Sequence, residues 1–119
     1  MNLAEQMVQL ARASKEAGRV LARLSSAVKD DLLRQMADAL EHNAQVLISA
    51  NEKDLAAARD KGMAPAMVDR LVLDEKRIGA MADGLREVAA LPDPVGEITG
   101  MWRRPNGIQV GRMRIPLGV

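Results

Sequence analysis

The sequence predicts an α+β chain that is mostly helical, four or five helices followed by one β-hairpin. Three observations carry this. Apolar residues recur at helical spacing through residue 91, the spacing switches to a period of two after Gly96, and Asn106-Gly107 punctuates the alternating stretch. The 119 residues are 48% hydrophobic and 28% charged, the balance of an ordinary globular protein. That balance excludes intrinsic disorder, whose mark is low hydrophobicity with high net charge.

Leu3, Met7, Leu10, Ser14, Ala17, Leu21 and Leu24 fall on one helix face in alternating steps of four and three. The same steps make three heptads. Ser14 and Ala17 weaken that seam, so the face is read as packing on its own domain rather than as a dimer zipper. Ser25 and Ser26 offer an N-cap to a second helix carrying Leu33, Met36, Ala37 and Leu40 on one face. His42-Asn43 marks a break or kink. The stripe resumes at Ala44, Leu47, Ile48, Asn51, Leu55 and Ala58, and ends at Lys61-Gly62, where glycine suits a left-handed C-terminal position. Pro65 opens a short helix to Leu71. Asp74 caps the next, with Ile78, Met81, Ala82, Leu85, Val88 and Ala89 on its inner face, until Pro92-Asp93-Pro94 stops it.

Beyond Gly96, Ile98, Gly100 and Trp102 alternate with Glu97, Thr99, Met101 and Arg103. Asn106-Gly107 predicts a two-residue turn with both central residues at positive φ. Ile108, Val110, Arg112 and Arg114, with their alternates, form the return strand. An isolated two-stranded hairpin is marginal in water, and an uncovered apolar strand is an aggregation hazard. The chain is therefore expected to continue into a larger sheet.

Composition narrows the chemistry. There is no cysteine, hence no disulfide, thiolate nucleophile or cysteine metal ligand. Phe and Tyr are absent, and Trp102 is the one aromatic residue, so eight Met must join the aliphatic residues in any core. Arg103, Arg104, Arg112 and Arg114 follow residue 100 without an acid, while the first 99 residues carry 13 basic and 16 acidic side chains. That basic cluster suits an anion: a cofactor phosphate, a substrate phosphate or nucleic acid. The reading preferred is a solvated hairpin face or salt bridges across a subunit contact. Nucleic acid fits worst, because stacking surface is scarce.

No apolar run approaches the roughly 18 residues of a membrane helix. Met1-Asn2-Leu3-Ala4-Glu5 also lacks the basic start of a secretory signal, so the chain reads as cytoplasmic and free of membrane. His42, the single histidine, has no second histidine with which to hold a metal. A phosphoacceptor role for it is weighed against interaction with free carbonyls at a helix C-terminus, which is preferred. Asp30-Asp31 and Asp74-Glu75 are read as helix-start carboxylates, not a catalytic dyad. Asn51 is read as a polar link between helices. Trp102 is read as a core or interface anchor.

Several stretches resemble the N-terminal region of the γ-glutamyl phosphate reductase (glutamate-5-semialdehyde dehydrogenase) family, within the aldehyde dehydrogenase superfamily. They are Ala39-Leu40-Glu41-His42-Asn43-Ala44, Ala50 to Arg59 and Leu91-Pro92-Asp93-Pro94-Val95-Gly96-Glu97. The most specific is Trp102-Arg103-Arg104-Pro105-Asn106-Gly107, followed by Arg114 to Val119. The resemblance implies an α/β parent of which this chain is only the front part. Residues 1–91 would be the N-terminal helical region, 92–96 a Pro-rich linker and 97–115 a hairpin of the bridging and oligomerisation sheet. Residues 116–119 would begin the first nucleotide-binding strand.

It further implies NADPH-dependent reduction of γ-glutamyl 5-phosphate to glutamate-5-semialdehyde and phosphate, in proline biosynthesis. The family uses a cysteine thiolate that forms a thioester before hydride transfer. This chain has no such cysteine and no Gly-x-Gly-x-x-Gly after a strand. It is therefore expected to carry no catalytic, cofactor-binding or metal-binding residue, to bind no NADPH alone, and to be inactive by itself. The parent is expected to form a homo-oligomer through the hairpin around Trp102. The other reading is a free-standing helical dimerisation or interaction module without enzymatic activity.

Overall fold

The computed structural model describes residues 2–118. Among these, five helices precede one antiparallel hairpin: α1 (Leu3–Leu21), α2 (Ser26–His42), α3 (Ala44–Asp60), α4 (Pro65–Leu71), α5 (Glu75–Ala90), β1 (Ile98–Arg103) and β2 (Gln109–Met113). The predicted class, helices and then a hairpin, is the observed one. The chain divides into two compact units: residues 30–91, and the residues up to Lys29 together with those from Pro92 onward.

Among the described residues, the buried hydrophobic ones all lie in the first of these: Ala37, Leu55, Ala58, Val68, Ile78, Ala82 and Ala89. Four of the seven are alanines. Small side chains let helices approach closely, and Ile78, 1% exposed, is the largest side chain fully buried among them. Of the face predicted for α5, Ile78, Ala82 and Ala89 are inside. Met81 and Val88 stay exposed on its shoulder, as does Met36 on α2.

Chain punctuation follows local chemistry. Ser25 Oγ accepts from the Val28 amide at 3.3 Å and so caps α2. Since α2 starts at Ser26, Asp30 and Asp31 lie in its second turn, beyond the free amides of the first. The sequence reading of them as helix-start carboxylates is corrected accordingly; Asp31 accepts instead from Gln35. The break between α2 and α3 is one residue, Asn43, whose amide side chain turns back to Ala39 O. At the end of α3, Gly62 (φ 71°) closes a Schellman motif, with Met63 N donating to Ala58 O and Gly62 N to Arg59 O. Asp74 caps α5 through the Arg77 amide at 2.7 Å.

Within residues 30–91, Asn51 and Arg77 hold the α4–α5 connection. Asn51 Nδ2 donates to Leu71 O at 2.7 Å, and Leu73 N donates to Asn51 Oδ1 at 2.8 Å. Arg77 donates to Val72 O at 2.8 Å and also to Asp69 O. Arg86 gathers Asp38, Glu41 and Asp83 around one guanidinium, at 2.9, 2.6 and 3.2 Å. Its hydrogen bonds pull the Glu41 carboxyl below the usual range and push the Arg86 guanidinium up.

In the other unit, α1 carries a reciprocal capping box: Asn2 Oδ1 accepts from Glu5 N, and Glu5 Oε2 from Asn2 N, both at 2.9 Å. The helix ends at Leu21, so Leu24 sits in the following turn rather than on the helix. No residue of α1 is buried; Leu3 is 71% and Leu10 61% exposed. The seam predicted to pack on its own domain is open in this chain.

Asp93 ties the linker to the first turn of α2. Its carboxylate accepts from Lys29 Nζ (2.8 Å), Ser26 Oγ (2.9 Å) and Val95 N (3.0 Å). These bonds, the lysine first, hold the Asp93 carboxyl down at about 2. A depressed carboxyl stabilises the fold above its unfolded value, and that contribution fades as pH falls through the folded value. Acid weakening of the Lys29–Asp93 link is therefore expected between about pH 4 and about pH 2. A nuclear magnetic resonance titration of the Asp93 carboxyl would check it, and a midpoint near the ordinary carboxylate value would refute it.

Candidate functional site

The hairpin is the candidate site, as a surface rather than a pocket. Its register pairs Gly100 with Arg112, Met101 with Gly111, Trp102 with Val110 and Arg103 with Gln109. Arg104 N donates to Ile108 O at 2.7 Å, and Gly107 N to Arg104 O at 2.9 Å. Pro105, Asn106 and Gly107 thus form a three-residue loop. Gly107 alone takes positive φ (87°); Asn106 does not. This corrects the predicted two-residue turn. Pro105 fits the second position of a type I turn, Asn106 the third, and the left-handed glycine then closes a bulge.

A second departure lies at the other end. The register slips by one residue between Ile98 and Gly100, so that Ile98 faces Met113. Thr99 is the extra residue of a β-bulge, and it moves Ile98 off the face predicted for it. Directly paired residues share a face of the hairpin. One face therefore holds Trp102, Val110 and Arg112, and the other Ile98, Met101 and Met113. Apolar side chains are exposed on both: Trp102 is 41%, Met101 56% and Met113 61% exposed.

Local packing is tight within that surface. The Trp102 ring edge lies over Gly100, where a Cβ would come 3.7 Å from its Cζ3. At Gly111 a Cβ would meet Gly100 O at 2.9 Å and the Met101 tip at 3.0 Å, so the position has room only for glycine. Trp102 is 41% exposed and is not a core residue of this chain.

The four arginines do not all share one face of the hairpin. Arg112 stacks over Trp102, its guanidinium carbon 5.8 Å from the ring centroid. Arg114 pairs with Glu97 at 3.5 Å, both side chains exposed. Arg103 stands opposite Gln109 on the other face, and Arg104 enters the loop.

His42 Nδ1 donates to Asp38 O at 2.7 Å; a carbonyl only accepts, so that ring nitrogen carries the proton. The ring bonds the last turn of its own helix. Among the described residues, no group of three or more His, Asp or Glu is placed to hold a metal ion. No helix there is long and apolar enough to cross a membrane. Among the described residues, the glycines at positive φ follow α3 (Gly62), end the linker (Gly96), close the hairpin loop (Gly107) or lie beyond the hairpin (Gly118), and none joins a strand to a helix N-terminus. The Arg86 cluster and the α1 capping box escaped the sequence reading; Asn2-x-x-Glu5 was the signal for the second, whereas long-range ion pairs leave none.

Curated relatives match this sequence along its whole length, although no family model matches it. Gamma-glutamyl phosphate reductase of Geotalea daltonii is 60% identical over 119 residues, which is 100% of this chain and 28% of that protein. That of Moorella thermoacetica is 51% identical over the same shares of each. The chain matches the N-terminal part of gamma-glutamyl phosphate reductases. Its fold agrees. The crystal structure of gamma-glutamyl phosphate reductase from Thermotoga maritima superposes with a TM-score of 0.86 at 33% identity, over 92% of this chain and 26% of that one. The Saccharomyces cerevisiae reductase gives 0.79 at 32% identity, over 91% and 28%. The chain spans little more than a quarter of the length of the reductases it matches.

Proposed function

We propose that this chain serves as the N-terminal part of a gamma-glutamyl phosphate reductase, supplying scaffold and contact surface rather than reacting groups. The observation that carries the reading is the full-length match of this chain to reductases of which it covers 28%. In that reading the whole enzyme is a cytoplasmic oxidoreductase of the aldehyde dehydrogenase superfamily. It reduces γ-glutamyl 5-phosphate to glutamate-5-semialdehyde and phosphate, for proline biosynthesis. NADPH, which supplies the hydride when bound, and the cysteine that attacks the acyl phosphate both belong to the polypeptide this chain does not span. Residues 1–91 form its helical region, 92–96 the linker and 97–115 the bridging hairpin, with 116–119 leading into the nucleotide-binding sheet. Met1 and Val119 lie outside the described residues.

The hairpin's part is to bury Trp102, Met101 and Met113 against further sheet and against a second subunit, giving a homo-oligomer. Exposed apolar side chains on both its faces support this, because such patches mark surfaces that other protein covers. They equally suit the reading as a free-standing dimerisation module, which would be dimeric in light scattering without any reductase partner.

The test is NADP-dependent turnover of glutamate-5-semialdehyde with phosphate. The purified chain is expected to give none. The same chain fused to the remaining three-quarters of the Geotalea daltonii reductase is expected to restore it. Turnover by the chain alone, or a folded fusion without activity, would refute the proposal.

A further inference from the structure

We infer that Asn106 is the chain's site of spontaneous deamidation, and that the hairpin turn gates the reaction. Of the asparagines, Asn2 precedes Leu3, Asn43 precedes Ala44, Asn51 precedes Glu52, and only Asn106 precedes a glycine. In this reaction the Gly107 backbone nitrogen attacks Cγ of Asn106. A new N–C bond forms, the bond from Cγ to Nδ2 breaks, and the amide nitrogen leaves as ammonia with the proton from Gly107. Water then opens the succinimide ring at either carbonyl, giving aspartate or isoaspartate. No oxidant or reductant is needed. Glycine offers no Cβ to hinder the attack, and both residues are exposed to the water that completes it.

The closed hairpin occupies both reacting groups. The attacking nitrogen's hydrogen is donated to Arg104 O at 2.9 Å, and Asn106 Oδ1 accepts from Ile108 N at 3.1 Å. Attack requires Asn106 to rotate away from the turn, which breaks the first bond and the Arg104–Ile108 register beside it. Reaction then proceeds from the opened turn, in proportion to its population. Isoaspartate would insert an extra backbone atom into a three-residue loop, and either product would place a carboxylate beside Arg103 and Arg104. The modification would thus record irreversibly that the hairpin had opened.

The experiment incubates the full 119-residue protein in mildly alkaline buffer and, in parallel, in concentrated urea. Peptide mass spectrometry and isoaspartyl methylation locate and count the product. Modification is expected at Asn106 first, at least about tenfold slower in buffer than in urea, the factor that 1.4 kcal/mol of turn stability gives. Pro105→Gly, which frees the turn without touching the reacting atoms, is expected to speed the reaction several-fold in buffer and leave the urea rate unchanged. Equal rates in the two solvents, or a Pro105→Gly variant as slow as the parent in buffer, overturns the gate. Earlier modification of Asn2, Asn43 or Asn51 overturns the site.

Discussion

Asn51→Leu is expected to destabilise the unit of residues 30–91 by about 2–3 kcal/mol. The side chain is 8% exposed and bonds two backbone groups at once, Leu71 O and Leu73 N. Leucine keeps the branched shape but is bulkier, so some overpacking would add to the loss. The cost arises because a carbonyl at the end of α4 and an amide of the α4–α5 connection lose their partner together. Each buried backbone group left unpaired costs about 1–3 kcal/mol. Urea unfolding followed by amide exchange in α3 and α5 would measure it. Asn51→Asp separates geometry from chemistry: it keeps an acceptor for Leu73 N but loses the donor to Leu71 O. A leucine variant as stable as the parent would mean that solvent already satisfies both groups.

Ile78→Ala is expected to cost about 2–5 kcal/mol, the range for removing a buried aliphatic side chain. The core around it includes four alanines, short side chains that cannot swing in to fill the space. The upper half of the range is therefore the expectation. Ile78→Val, removing one methyl, should cost about 0.5–1.5 kcal/mol. An alanine variant indistinguishable from the valine one would show that α5 moves inward to close the gap.

Much of the helical part was legible because it rests on local chemistry. Pro65 at a first turn, Asp74 at an N-cap and Gly62 after a last turn each act within a few residues, so their consequences can be read in place. The hairpin was legible as a hairpin but not in its register. Alternation alone cannot show the extra residue at Thr99, although Gly100 beside it was a usable bulge signal, and Asn-Gly drew the turn one residue too short. Pro105 was the overlooked cue: its fixed φ suits a turn's second position and its missing amide cannot pair across strands. Arg86 with Asp38 and Glu41 joins residues more than forty apart, and no periodicity encodes such a meeting. Asn51 stood out as polar within an apolar stripe, which announced a hydrogen bond but not its recipients. The absence of cysteine was the most informative single count, because it separates this chain from thiolate chemistry whatever it folds into.

The bare surface of α1 has a consequence for how the protein unfolds. Helices gain most of their stability from packing, and isolated ones shorter than about 12–15 residues are marginal in water. At 19 residues, with a reciprocal cap at its start and nothing buried, α1 sits only a little beyond that limit. It is expected to fray more readily than the helices of residues 30–91, which share a buried core. Two melting regimes then coexist in one polypeptide: a gradual, cap-dependent one and a sharp, cooperative one. Total helicity would sum the two, so a melt of this chain is expected to be broader than that of residues 30–91 alone. Limited proteolysis would cut first at Arg12, Lys15 and Arg19, trimming the gradual regime away and leaving the cooperative one behind.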